Sequence, residues 1–113
     1  MRFLDESERR DLEQEMVRLA TSVLAGGVDL LEAAPKLWSS LSLLGFDWDD
    51  PDYHAFGLIV SETDALPLGA QRVHWAADAL LEKEPELREA RIWAAPYGMP
   101  ACERIVTRFG ARK

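Results

Sequence analysis

Leu12, Met16, Leu19 and Val23 recur at steps of four, three and four, with Val17, Ala20 and Leu24 widening the same stripe. That period predicts an amphipathic helix across residues 5–25. Asp5 is placed to cap it, Glu8 stands three residues on to complete a capping box, and Gly26-Gly27 stops it. A second stripe, Leu30, Ala34, Leu37, Leu41 and Leu44, predicts a helix from an Asp29 cap to a Gly45 stop. Pro35 lies inside it and lacks the N–H that would bond the Leu31 carbonyl, so a kink or two abutting helices are expected there.

Two periods compete in the middle of the chain. Tyr53, Phe56 and Ile59 or Val60 suit a helix opened by Asp50 as cap and Pro51 at its first position, whereas Phe56, Leu58 and Val60 alternate as in a short strand at 56–61. The cap and proline favour the helix. Pro67 and Gly69 then predict a loop before Trp75. The last third reads as a short turn at 76–81, a new helix from Pro85, a break at Pro96, Gly98 and Pro100, and a final stripe of Cys102, Ile105, Val106 and Phe109. The expected fold class is all-α: a bundle of four or five helices with an irregular middle, in one domain over residues 1–113.

Composition adds a core and removes some functions. At 48% hydrophobic and 29% charged, the chain can bury an interior and solvate its surface. The net charge of −7 disfavours a nucleic-acid partner, since phosphate would be repelled. No apolar run reaches the roughly 20 residues of a membrane span, and the segment MRFLDESERR lacks the apolar stretch of a secretory signal. The one cysteine, Cys102, has no disulfide partner in the chain, so the expected compartment is the cytoplasm and the thiol reads as a small buried apolar group.

The charge is unevenly placed. Residues 29–64 hold eight acidic side chains against Lys36 alone, which accounts for the whole net charge, while residues 65–113 carry a net +2. Asp47, Asp49, Asp50 and Asp52 interleave with Trp48 and Tyr53, and Glu62 and Asp64 follow. Such a patch suits a basic protein partner, its carboxylates steering encounter and its aromatics anchoring the contact. A solvated acidic loop with Trp48 turned into the core fits the same residues. If the carboxylates are exposed, replacing Asp47, Asp49, Asp50 and Asp52 by Asn should leave stability nearly unchanged.

Other chemistry finds little support. Asp47, Asp49 and Asp52 loosely resemble a calcium loop, but Asp52 stands where the glycine belongs and Leu58 where the bidentate Glu belongs. His54 and His74 have no metal-ligand spacing, and Ser61, His74 and Asp64 lack the GxSxG elbow that would expose a nucleophile. The glycines form no phosphate cradle. Neither metal nor cofactor is expected, and no catalytic set emerges.

SETDALPLG at 61–69, followed by Arg72 and Trp75 and by a long acidic-to-basic helix carrying Ala101-Cys102, resembles a family of small bacterial cytosolic proteins over residues 50–109. The resemblance implies kinship with the immunity proteins of toxin systems, small acidic chains that neutralise a cognate toxin by occluding a basic active-site cleft. No site residue carries over with it. Ser61 or Thr63 could cap backbone amides within the block, and Glu62 or Asp64 could pair with Arg72, which would make it a scaffold. Two other classes stay open: a helical adaptor or homodimer that buries the Trp residues, and a small enzyme or ligand-binding domain built on Glu62, Asp64, Arg72 and His74.

Overall fold

A computed structural model describes residues 4–68 and 75–110. It contains four helices and, among the described residues, no strand: α1 (Glu6–Leu24), α2 (Leu30–Leu43), α3 (Pro51–Glu62) and α4 (Ala77–Gly110). The chain is an all-α bundle. The middle segment is helical, with the Asp50 side chain accepting from the Asp52 and Tyr53 amides and Pro51 opening the helix. The alternation at 56–61 is therefore no strand: Phe56 and Ile59 are both fully buried, as a three-residue helical step requires.

The caps follow from local chemistry. Asp5 and Glu8 form the reciprocal capping box on α1, at 2.8 and 3.1 Å. Gly26 and Gly45 adopt φ of +82° and +97°, which L side chains resist, and each turn closes with paired amide-to-carbonyl bonds back to the helix. Gly27 N–H reaches the Ser22 carbonyl at 2.8 Å, and Phe46 N–H reaches the Leu41 carbonyl at 3.0 Å. The expected division at Pro35 is absent, because α2 runs through it as one helix.

The C-terminal third departs most from expectation. Instead of a short turn, a new start at Pro85 and a break near Pro96, one 34-residue helix passes through Pro85, Pro96 and Pro100. Each proline leaves the carbonyl four residues earlier without its usual donor. Those carbonyls belong to Leu81, Ile92 and Pro96, residues on the solvent side of the helix, where water has access in place of the missing amide. Helix α4 packs on α1, α2 and α3, and α2 also packs on α1 and α3. Its inner face is built of small residues, Ala94, Gly98, Ala101 and Cys102, flanked by Leu87 and Ile105. A methyl group on Gly98 would lie 2.5 Å from Leu30 Cδ2 and 3.0 Å from Ile59 Cδ1, so its missing side chain sets how closely α4 approaches α2 and α3. The core centres on Phe56, Met16, Leu31, Leu37, Leu41, Ile59, Leu87 and Ile105.

Candidate functional site

Helix α3 divides the residues singled out by charge and aromaticity. Asp47, Trp48, Asp49, Asp50, Asp52 and Tyr53 gather at its N-terminus, Glu62 is its last residue and Asp64 lies just beyond. At about 1.5 Å per residue the two groups are roughly 16 Å apart. They do not form one patch.

Within the N-terminal group the carboxylates have opposite environments. Asp52 is fully buried and is held by two arginines of α4: Arg104 Nε donates to Oδ1 at 2.5 Å and Arg108 Nη1 donates to Oδ2 at 2.6 Å. Arg108 also donates to both Asp50 oxygens, from Nη1 at 3.2 Å and Nη2 at 2.9 Å. Arg104 and Arg108 are four residues apart and so share one helix face. The Arg108 guanidinium lies 4.8 Å from the Phe46 ring centre and 5.1 Å from that of Phe109, which adds cation–π contact to the pairing. Burial raises the Asp50 carboxyl, but the Arg108 guanidinium and the Tyr53 and Asp52 amides outweigh it and hold the group below the ordinary carboxylate value. Burial likewise lowers Arg108, while bonding to Asp50 and Asp52 outweighs it and raises the guanidinium above its usual value.

Asp47 and Asp49 are exposed and make no ion pair among the described residues. Asp47 Oδ1 accepts the Asp49 amide at 3.0 Å, which shapes the turn before α3. The expectation that all four aspartates could become Asn without loss of stability therefore fails for Asp50 and Asp52, whose charges are bound inside the fold. Asp29 behaves similarly, capping α2 through one oxygen and accepting Arg91 Nε at 2.8 Å through the other. Much of the positive surplus after residue 65 thus neutralises the acidic middle of the same chain.

Trp48 is 53% exposed and stands on an aromatic platform rather than in the core. Its ring meets Tyr53 edge-on at 5.2 Å and His54 at 5.6 Å, with Trp38 at 6.1 Å behind. Gly57 makes room for this stack: a methyl group there would lie 2.7 Å from both Trp38 Nε1 and Trp48 Cη2. The Trp38 indole N–H at that contact is buried without an acceptor among the described residues.

Two clefts line the seam between α3 and α4. One, of about 270 Å³, is mainly apolar, formed by Pro51, Ala55, Leu58, Pro96, Tyr97 and Pro100 with His54 and Arg104 at its margin. The other, of about 360 Å³, lies toward the end of α3 and is walled by Glu62, Glu86, Glu89 and Trp93 over Leu66 and Ala90. Trp93 and Tyr97, 5.3 Å apart, join the two. A larger groove of about 590 Å³ between α1 and the end of α4 carries both Arg10 and Glu13 and so favours no one ligand charge. The charge arithmetic pointed to Glu62 but missed Glu86, Glu89, Trp93 and Tyr97. Their steps of three, four and four mark one face of a helix, a signal hidden by the predicted break at Pro96.

The SETDALPLG block closes α3 and turns into the following loop. Thr63 is buried and donates from Oγ1 to the Ile59 carbonyl at 2.7 Å, rather than capping an amide, and Leu66 and Pro67 are buried. Ser61 is exposed. Gly69, Arg72 and His74 lie outside the described residues, and with them the expected pairing of Arg72 and the Ser61, His74 and Asp64 set. Burial, then the nearby Asp52 and Glu103 charges, push the Cys102 thiol up to about 12, so it stays protonated at neutral pH and is a poor nucleophile. Among the described residues, no group of three His, Cys, Asp or Glu side chains is disposed to hold a metal ion, and no helix is long and apolar enough to cross a membrane.

No protein-family profile, curated protein or solved structure matches the chain.

Proposed function

We propose that this protein is a binding protein of the toxin-immunity kind, which occludes a basic cleft on a cognate toxin with the surface around Trp48. One observation carries the reading: Trp48 is half-exposed and is flanked in sequence by the exposed Asp47 and Asp49, which make no ion pair among the described residues, while the next two aspartates, Asp50 and Asp52, are fixed by arginines of α4. The paired aspartates make the frame and the unpaired ones the contact. An aromatic anchor next to exposed carboxylates suits a cationic partner, because the ring fills a pocket while the carboxylates steer approach and occupy sites meant for substrate phosphate.

The test uses the product of the gene adjacent to this one in the native genome, titrated calorimetrically and by stopped flow against three proteins. Trp48→Ala should weaken binding at least tenfold, and Asp47→Asn with Asp49→Asn should slow association and flatten its salt dependence. The aspartate variant should melt within a few degrees of the parent; Trp48→Ala, which loses ring packing on Tyr53 and His54, should melt lower and is titrated at a temperature where circular dichroism shows it fully folded. Unchanged affinity and salt dependence in both would remove this surface from the interface.

A homodimer is the second reading, favoured by Leu81 and Ile92 on α4, which are 73% and 69% exposed. Sedimentation equilibrium decides it, a monomer at micromolar concentration excluding a stable dimer.

A further inference from the structure

The faces of α3 and α4 that meet at the seam are set by helical spacing. Pro51, Ala55, Leu58 and Glu62 step along α3 by four, three and four, and Glu86, Glu89, Trp93 and Tyr97 step along α4 by three, four and four. The two clefts are therefore collinear, apolar near the start of α3 and acidic near its end, with the Trp93–Tyr97 pair between. The contrast is with Asp29, Asp50 and Asp52, whose carboxylates are bound by arginines of α4.

Among the described residues, the acidic cleft is only partly neutralised. Glu86 binds Lys83 Nζ at 3.2 Å, but Glu62 and Glu89 make no ion pair among the described residues. Their carboxylates flank an aromatic face and an apolar floor of Leu66 and Ala90. A ligand for this cleft must carry positive charge for Glu62 and Glu89, lie against the Trp93 ring, and bring an aliphatic stem for the floor. An arginine or lysine side chain meets all three needs, its stem burying along apolar surface while its head pairs and stacks. The volume, about 360 Å³, leaves room for one long side chain together with the neighbouring surface of the protein that presents it.

We infer that this cleft is a second anchor of the binding surface and receives a single cationic side chain of the protein partner against Trp93, while the neighbouring apolar groove covers the partner's adjoining apolar residue. The inference rests on the binding-protein reading and assigns its far contact. It separates roles: Asp47 and Asp49 steer from one end of α3, and Glu62, Glu89 and Trp93 hold at the other. It also selects among basic partners, since only one with a protruding arginine or lysine at the right distance engages both ends.

The probes are hexa-arginine and hexacitrulline, peptides of nearly the same shape that differ in charge, titrated into the ¹⁵N-labelled full chain at low salt. Hexa-arginine should move the Trp93 indole N–H signal and the amides of Glu62, Glu86 and Glu89, and hexacitrulline should not. Glu62→Gln with Glu89→Gln should weaken the arginine peptide at least fivefold, Trp93→Ala should do the same, and Asp47→Asn with Asp49→Asn should leave the shifts at this cleft in place. Equal binding of the neutral peptide, shifts confined to the Asp47–Asp49 turn, or unaltered affinity in the Gln variant would each overturn the assignment. Titration of the adjacent gene product keeps the two ideas apart. If the Gln variant binds it as tightly as the parent while Asp47→Asn with Asp49→Asn binds more slowly, the anchor is wrong and the Trp48 surface stands. Loss of self-association on Trp93→Ala would instead make a second copy of the chain the occupant and refute a cationic one.

Discussion

Asp52→Ala is expected to lower the free energy of unfolding by about 3 kcal/mol, because it removes a buried carboxylate and leaves two arginines without their shared acceptor. The estimate sits at the low end for broken buried pairs, since Arg104 and Arg108 are partly exposed and can regain water. Asp47→Asn with Asp49→Asn should change stability by no more than about 0.5 kcal/mol, as both carboxylates are already solvated. Urea denaturation at equal slope reads the difference. A loss below about 1 kcal/mol for Asp52→Ala would show the arginine contacts to be worth no more than a surface pair. Acid should act on the same cluster. The folded pKa of Asp50 lies below its ordinary 3.8, so its stabilising contribution is complete above that value and is lost as pH falls through the depressed folded one. The parent should therefore lose stability as the solution is acidified below about pH 4.

The larger loss belongs to Phe56→Ala, which should cost about 3–5 kcal/mol. Phe56 is the bulkiest of the fully buried side chains and sits in the core on α3, between Tyr53 and Ile59 on the same helix. Truncation removes its apolar transfer energy and opens a cavity that close-packed neighbours fill only in part. The midpoint of a urea transition should fall with little change in slope. An effect under 1 kcal/mol would mean that the neighbours collapse onto the vacated space. Since Gly57 and Tyr53 build the platform under Trp48, the variant should also loosen partner binding, with a stability loss larger than that of Trp48→Ala, whose ring is half-exposed.

The sequence made the first three helix starts legible because an aspartate and the amide it caps lie within three residues of each other. Asp5, Asp29 and Asp50 all act as their local sequence indicates. The fate of Asp50 and Asp52 was not legible, since it depends on arginines more than 50 positions away in the chain. The opposite charge sums of residues 29–64 and 65–113 were the available sign of that pairing, and they were read as pointing outward to another protein. Local pattern also misjudged α4. Proline rules describe the bond that is lost, and whether water can replace it depends on which side of the bundle the freed carbonyl faces. Trp48 and Tyr53 show the same limit, since residues five apart in one acidic run differ in exposure by where α3 begins.

The length of α4 conceals an unequal backing. None of residues 77–86 is buried, whereas Leu87, Ala94, Gly98, Ala101, Cys102 and Ile105 are held against the other helices. Amide protons of the later turns should exchange with solvent only on global unfolding, and those of the first turns by local opening at small cost. Glu86 stands at the boundary between these two regimes, one turn before Glu89 and two before Trp93. A ligand seated there would grip the slow-exchanging stretch and draw the loose one into protection, so that occupancy registers as a lengthening of the rigid part of a helix already formed.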